Sequence, residues 1–249
     1  PRTVAVGVTA AVAFLAFLRY ESHRHDPFID LRFFASIPFA SATVIAVCAF
    51  AGWGAFLFMM SLYLQGVRGY SAMHTGLIYL PIAIGALFFS PLSGRLVGRY
   101  GARPSLLTSG LLITAASAML AFLTATTPVW VIVVVFAVYG IGFGMVNAPV
   151  TNAAVSGMPQ DRAGAASAVT STSRQVGVSI GVALCGSLAG AALSGNAAQF
   201  TDAARPLWWV SIGLGLCIVV LSVLSTSPRA YRSAERLAPL IADRSTMSR

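Results

Sequence analysis

Gly94-Arg95-Leu96-Val97-Gly98-Arg99-Tyr100-Gly101-Ala102-Arg103-Pro104 lies between two apolar runs, residues 75–94 and 105–125. Both runs match the roughly 20 apolar residues that a helix needs to cross a bilayer. Glycine permits a tight reversal between them, and Pro104 suits the first turn of the following helix. Three arginines four residues apart would hold such a turn at an anionic membrane surface. A short basic hairpin accounts for the charge but not for the whole pattern of Gly and Arg.

Outward from this turn the same alternation continues. Seven apolar segments are predicted, at 3–18, 37–65, 75–94, 105–125, 129–149, 164–193 and 207–226. The runs are continuous, whereas membrane strands would alternate over about 10 residues, so the spacing predicts helices. Segments 37–65 and 164–193 are long enough to tilt or to enter the interface, and 3–18 is slightly short. The 249 residues are 57% hydrophobic and 9% charged, with a mean hydropathy of +0.81. Soluble domains carry about 25% charged residues, so a soluble enzyme, a disordered chain and a disulfide scaffold are all excluded. The chain begins with Pro1 and no signal-peptide pattern precedes the first segment, from which we expect that N-terminal residues have been cut away.

Every one of the 16 basic residues is arginine, and the net charge is +9. In a soluble protein this would suggest nucleic acid; here the placement argues for orientation instead, and no nucleic-acid partner is expected. Arg19, Arg24, Arg32, Arg95, Arg99, Arg103, Arg162, Arg229, Arg232, Arg236, Arg244 and Arg249 fall on one side of the predicted spans. Arg2, Arg68 and Arg205 fall on the other, and Arg174 lies inside a span. The positive-inside rule then puts the N-terminus outside and the C-terminus in the cytoplasm of a multi-pass plasma (inner) membrane protein, with the lipid bilayer as its first partner.

Seven spans in this orientation also describe a receptor. A retinal protein needs a Schiff-base lysine and the sequence has none. Asn147-Ala148-Pro149 is only a faint echo of a receptor motif. Cys48, Cys185 and Cys217 each sit in an apolar run without metal-ligand spacing and read as packing residues. His23 and His25 read as a solvated loop pair, and His74 stands at a helix start. With no catalytic triad, phosphate loop or metal cluster, neither an enzyme nor a cofactor is expected.

The Gly94–Pro104 stretch resembles the loop signature of the major facilitator superfamily, G-x-L-a-D-r-x-G-r-[RK]. It departs from that signature at Gly98, which stands in place of the Asp, so the family's charge-relay role is absent and a turn-plus-gate role is implied for Gly94, Arg95, Gly98, Arg99, Gly101 and Arg103. Asp26-Pro27-Phe28-Ile29-Asp30-Leu31-Arg32-Phe33-Phe34 is similar to a segment that follows the linker helices in the family's fourteen-span drug:proton antiporters. Ser71-Ala72-Met73-His74-Thr75-Gly76-Leu77-Ile78-Tyr79-Leu80-Pro81 resembles that subgroup's S-[AP]-x-x-A-G-[LI]-x-x-L-P, and Gly164–Ala168 with Ser173-Arg174-Gln175-Val176-Gly177 and Gly181 resembles its x-R-Q-x-G segment. The resemblance implies an all-α polytopic membrane protein of seven transmembrane helices. Residues 1–36 would form a linker helix and cytoplasmic loop, 37–226 a C-terminal six-helix bundle of 3+3 inverted repeats, and 227–249 a basic cytoplasmic tail. The implied function is proton-coupled efflux of amphipathic small molecules, with an N-terminal half as the missing partner. An exporter dedicated to one endogenous metabolite, a seven-span receptor and an inactive truncated fragment are the alternatives.

Within the spans, polar residues are costly and mark cavities or helix contacts. Arg174 and Gln175, with Asn147 and Asn152, are the candidates. Arg174 either faces a cavity, meeting substrate or a carboxylate of the other half, or tethers helices by donating to backbone carbonyls. Trp53, with Phe50 and Leu57 on one face, could line an apolar drug pocket. Trp130, Trp208 and Trp209 read as an interfacial belt. The G-x-x-x-G pairs Gly140–Gly144, Gly177–Gly181 and Gly186–Gly190 allow close packing of helices, static or sliding. None of the seven acids lies inside a predicted span, so the carboxylate for proton coupling is expected in the absent half.

Overall fold

The computed structural model describes residues 34–155, 163–192 and 197–227, together with seven isolated positions between Thr9 and Tyr20. All regular structure assigned among these residues is helical. Six long helices follow one another: α1 (Ile37–Leu62), α2 (Ala72–Tyr100), α3 (Ala102–Ala121), α4 (Val129–Val155), α5 (Ala163–Ala192) and α6 (Ala197–Ser225). A π-helical turn, Tyr63–Val67, extends α1. Five of the helices are long and apolar enough to cross a membrane, at Ile37–Val67, Ala72–Tyr100, Ala102–Ala121, Val129–Ala153 and Gln199–Ser225. Most of the predicted 3–18 segment lies outside the described residues, and so does the tail beyond Ser227.

Two boundaries differ from expectation. Helix α2 continues through Arg95 and Arg99 to Tyr100, so the predicted loop shrinks to the single residue Gly101 between two helices. Helix α6 starts at Ala197, ten residues before the predicted segment, and takes in Asp202, Arg205 and Pro206. Helical hydrogen bonding satisfies the backbone of these polar ends while their long side chains reach outward; hydropathy alone stops too early. Asp202 therefore lies within a candidate span after all, but near its start, exposed and paired with Arg205 at 3.2 Å.

Helix directions follow from the close contacts. Gly177 meets Val47 and Ala51 while Gly181 meets Ala51 and Ala55, so α1 and α5 are parallel. Gly140 meets Ile82 and Gly144 meets Ala86, so α2 and α4 are parallel too. Phe50 packs on Phe143 and Phe56 on Phe136, which makes α1 and α4 antiparallel. The helices pair as α1·α5, α2·α4, α3·α6, α3·α4, α1·α6, α1·α4, α2·α3, α5·α6 and α4·α5. Exchanging α1, α2, α3 with α4, α5, α6 turns every pairing but α4·α5 into another of the set; in place of its counterpart, α2 meets the π-helical turn that extends α1. Helix α1 is the most enclosed of the crossing helices and α2 the least. The core runs along α1 and α4, through Phe56, Met59, Met60, Phe136 and Tyr139, and takes in Trp208 of α6.

Candidate functional site

Helix α4 carries two of the predicted polar positions, Asn147 and Asn152, and an aromatic column that the sequence reading did not single out. Its Phe136, Tyr139 and Phe143 recur at helical spacing and interleave with Phe50, Trp53 and Phe56 of α1. Trp53 stacks on Phe143 at 4.2 Å between ring centres, and Phe56 stacks on Tyr139 at 4.2 Å. Tyr79 of α2 meets Phe136 at 4.9 Å, and its hydroxyl donates to the Leu57 carbonyl at 3.0 Å. Such edge and stacked pairs add about 0.5–1.5 kcal/mol each beyond burial, so this column is a rigid seam between the two helices rather than an open pocket.

At one end of the column stands Arg174. Its Nη2 donates to the Thr151 hydroxyl of α4 at 2.7 Å, and its guanidinium lies 5.4 Å from the Phe50 ring of α1. Nε is buried without a hydrogen-bond partner. One side chain thus ties α5 to both central helices, with a hydroxyl as acceptor rather than the backbone carbonyl that a tether was expected to use. Asn147 is half-buried and donates to the Phe143 carbonyl at 3.0 Å. Gln175 and Asn152 are exposed on α5 and α4. Arg174, Asn147 and Trp53 are therefore brought onto one seam, while Gln175 and Asn152 face away from it.

The Gly–Arg stretch occupies the end of α2 and the start of α3. Gly101 adopts φ 79°, a conformation open to glycine, and its N–H donates to the Val97 carbonyl at 3.0 Å. Gly94, Arg95, Gly98, Arg99 and Arg103 are all exposed; a Cβ on Gly94 would stand 4.0 Å from that of Ala148, and one on Gly98 would meet open space. Just before and just after this stretch, the buried hydroxyls of Ser93 and Ser105 both reach the Met145 carbonyl of α4, each at 2.8 Å. Sequence reasoning missed these serines because serine is common in membrane helices and the pairing spans 40 to 52 positions.

A second cluster closes the opposite end of α2. Arg68 donates from Nη1 to the Ala125 and Thr127 carbonyls, at 2.9 and 2.8 Å, and from Nη2 to the Tyr70 hydroxyl at 3.1 Å. The bond to Tyr70 holds the guanidinium above its ordinary pKa. Tyr63 donates to the Thr124 carbonyl at 2.7 Å. The α1–α2 connection is thereby fastened to the α3–α4 loop.

The glycine pairs divide. A Cβ on Gly140 would stand 2.5 Å from the Ile82 carbonyl oxygen, and one on Gly177 2.6 Å from that of Val47. Gly181 is crowded hardest, against the Ala51 carbonyl oxygen, and Gly144 less, with Ala86 Cα at 3.0 Å, whereas Gly186 has nothing within 4 Å; the surroundings of Gly190 lie outside the described residues. Trp208, expected at an interface, is 1% exposed in the core, while Trp209 and Trp130 are exposed. Neighbouring helical residues point about 100° apart, so adjacent tryptophans cannot share a face. The Cys48 and Cys217 sulfurs meet across α1 and α6 at 3.9 Å, and Cys185 donates to the Ala55 carbonyl. Among the described residues, no three His, Cys, Asp or Glu side chains gather where a metal could sit.

A bundle of parallel and antiparallel membrane-length helices with a Gly–Arg turn matches the family model of the Major Facilitator Superfamily over residues 3–182. The chain belongs to that superfamily and is a multi-pass helical membrane protein. It is similar to the multidrug resistance protein Stp of Mycobacterium tuberculosis, with 34% identity over 82% of this chain and 38% of that protein. It also resembles the tetracenomycin C resistance and export protein of Streptomyces glaucescens, with 32% identity over 75% of this chain and 35% of that one. The methylenomycin A resistance protein of Streptomyces coelicolor is 35% identical over 73% of this chain and 38% of its own length. The chain spans well under half the length of these relatives.

Proposed function

We propose that this chain acts as the C-terminal half, with one linker helix, of a transporter that exports amphipathic compounds by alternating access, driven by protons. The observation that carries the reading is the helix pairing. Apart from α4·α5, the pairings of α1–α3 exchange with those of α4–α6, and α1 runs antiparallel to α4, as in two inverted three-helix repeats around a substrate path. Both ends of α2 are fastened, by Ser93 and Ser105 at one and by Arg68 at the other, so the bundle suits movement as a rigid body against a second bundle. The end bearing Arg95, Arg99 and Arg103 would face the cytoplasm, and Gly101 would form the turn of a gate. Asp202 is exposed and neutralised by Arg205, so the coupling carboxylate belongs to the other half. The relatives' association with resistance to multiple drugs, tetracenomycin C and methylenomycin A supports an amphipathic substrate. The names of the last two also favour a second reading, an exporter dedicated to one compound.

The test is ethidium accumulation in an efflux-deficient bacterium. Cells expressing a chimera in which this chain replaces the matching residues of the Mycobacterium tuberculosis relative should accumulate less dye than cells expressing this chain alone. Accumulation unaffected by the chimera, with the protein present in the membrane, contradicts the reading.

A further inference from the structure

The Met145 carbonyl accepts two hydroxyls, and the residue four positions on in its helix has no N–H to offer it. In an α-helix the carbonyl of residue i accepts from the N–H of residue i+4, and four residues beyond Met145 stands Pro149, which has no N–H. An unsatisfied carbonyl in a membrane protein's interior is costly, so something else must reach it. Ser93 and Ser105 do so, both fully buried, with their own oxygens 2.6 Å apart. One comes from α2 and the other from α3, and together they bracket the Gly94–Pro104 stretch.

We infer that Pro149 opens the Met145 carbonyl as the anchor by which Ser93 and Ser105 position the α2–α3 turn on α4. Each hydroxyl carries one proton, so either both bond the carbonyl or one relays through the other. A serine pair that merely filled space would not depend on the residue at position 149. A serine pair that completes a proline-vacated carbonyl must lose its purpose when the N–H returns. The dependence of the serines on Pro149 is thus the signature of the anchor, and it holds whether or not the chain transports anything.

The test uses the full chain in membranes, with its three cysteines replaced by alanine and a reporter thiol introduced by Leu106→Cys, buried on α3 next to Ser105 and so protected while the turn is anchored. A second reporter, Thr126→Cys on the exposed α3–α4 loop, serves as control. Removing both hydroxyls with Ser93→Ala and Ser105→Ala should raise the maleimide rate at position 106 by roughly fivefold, the factor that a hydrogen bond of ordinary strength commands. The rate at position 126 should change by less than about twofold. In a Pro149→Ala background the same serine substitutions should change the rate at 106 by less than about twofold, because the residue-149 N–H then serves the carbonyl. If the double-serine chain does not fold, Pro149→Ala should restore a monodisperse protein. Equal effects in both backgrounds, no effect in the Pro149 chain, or misfolding that Pro149→Ala does not relieve would each overturn the inference.

Discussion

Arg174 joins three helices through two interactions of different kinds, a charged hydrogen bond to Thr151 and a cation–π contact with Phe50. A guanidinium serves both because it is planar, whereas an ammonium on the same backbone would keep only a point charge. If the contact with Thr151 is what Arg174 is for, Arg174→Ala and Thr151→Val should be non-additive. The expected coupling in thermal unfolding in detergent is on the order of 0.6 kcal/mol, typical of hydrogen bonds between membrane helices. Additive losses, together with transport abolished by Arg174→Ala alone, would instead mark a substrate contact. The arginine was legible in the sequence because a charge at membrane depth is rare; its partner was not, since Thr151 is an ordinary residue 23 positions away. Trp208 shows the same limit from the other side. Composition put both tryptophans at an interface, and only helix phase separates the core residue from the exposed one.

At the scale of helices, the glycine spacing was visible but the choice of partner was not. Gly140 and Gly144 let α4 approach α2, while Gly177 and Gly181 let α5 approach α1, and these are the two pairings that exchange with one another. Small residues do this work in a membrane because lipid supplies no hydrophobic force to bring helices together. Gly140→Ala or Gly177→Ala pushes a methyl group against backbone, which cannot move aside like a side chain, and should cost about 1–3 kcal/mol as overpacking. Gly186→Ala, with open space, should change stability by no more than about 0.5 kcal/mol. The check is the thermal midpoint of purified protein in detergent; a Gly186→Ala loss as large as that of Gly140→Ala would mean that the pairing of α1 with α5 and α2 with α4 is misassigned. The α2–α3 connection was also read correctly in position but not in form. Its Gly and Arg marked a reversal, yet hydropathy could not show that the helices run to within one residue of each other.

The described residues form a bundle in which the odd helices run one way and the even helices the other, α3 and α6 being antiparallel through Gly110 against Val219 and Gly215 against Thr114. Six of the seven expected spans fall on described helices, five of them long and apolar enough to cross a membrane, because continuous apolar runs about 20 residues long leave the chain little choice but helix in lipid. What the sequence could not reveal is that α1 pairs most closely with α5 and α2 with α4 rather than with their chain neighbours, since periodicity carries no information on partners. That arrangement, with a proline-vacated carbonyl at one end and Arg68 at the other, makes the chain suitable as one rigid half of a rocking transporter. The most direct measurement is dye flux in proteoliposomes under an imposed pH gradient. Liposomes bearing the chimera with the Mycobacterium tuberculosis relative should move ethidium against its gradient, and collapse of the pH difference should stop the movement. Liposomes bearing the monomeric chain of residues 1–249 should show none. Gradient-driven flux from the monomeric chain alone, or chimera flux indifferent to the pH difference, would contradict the account.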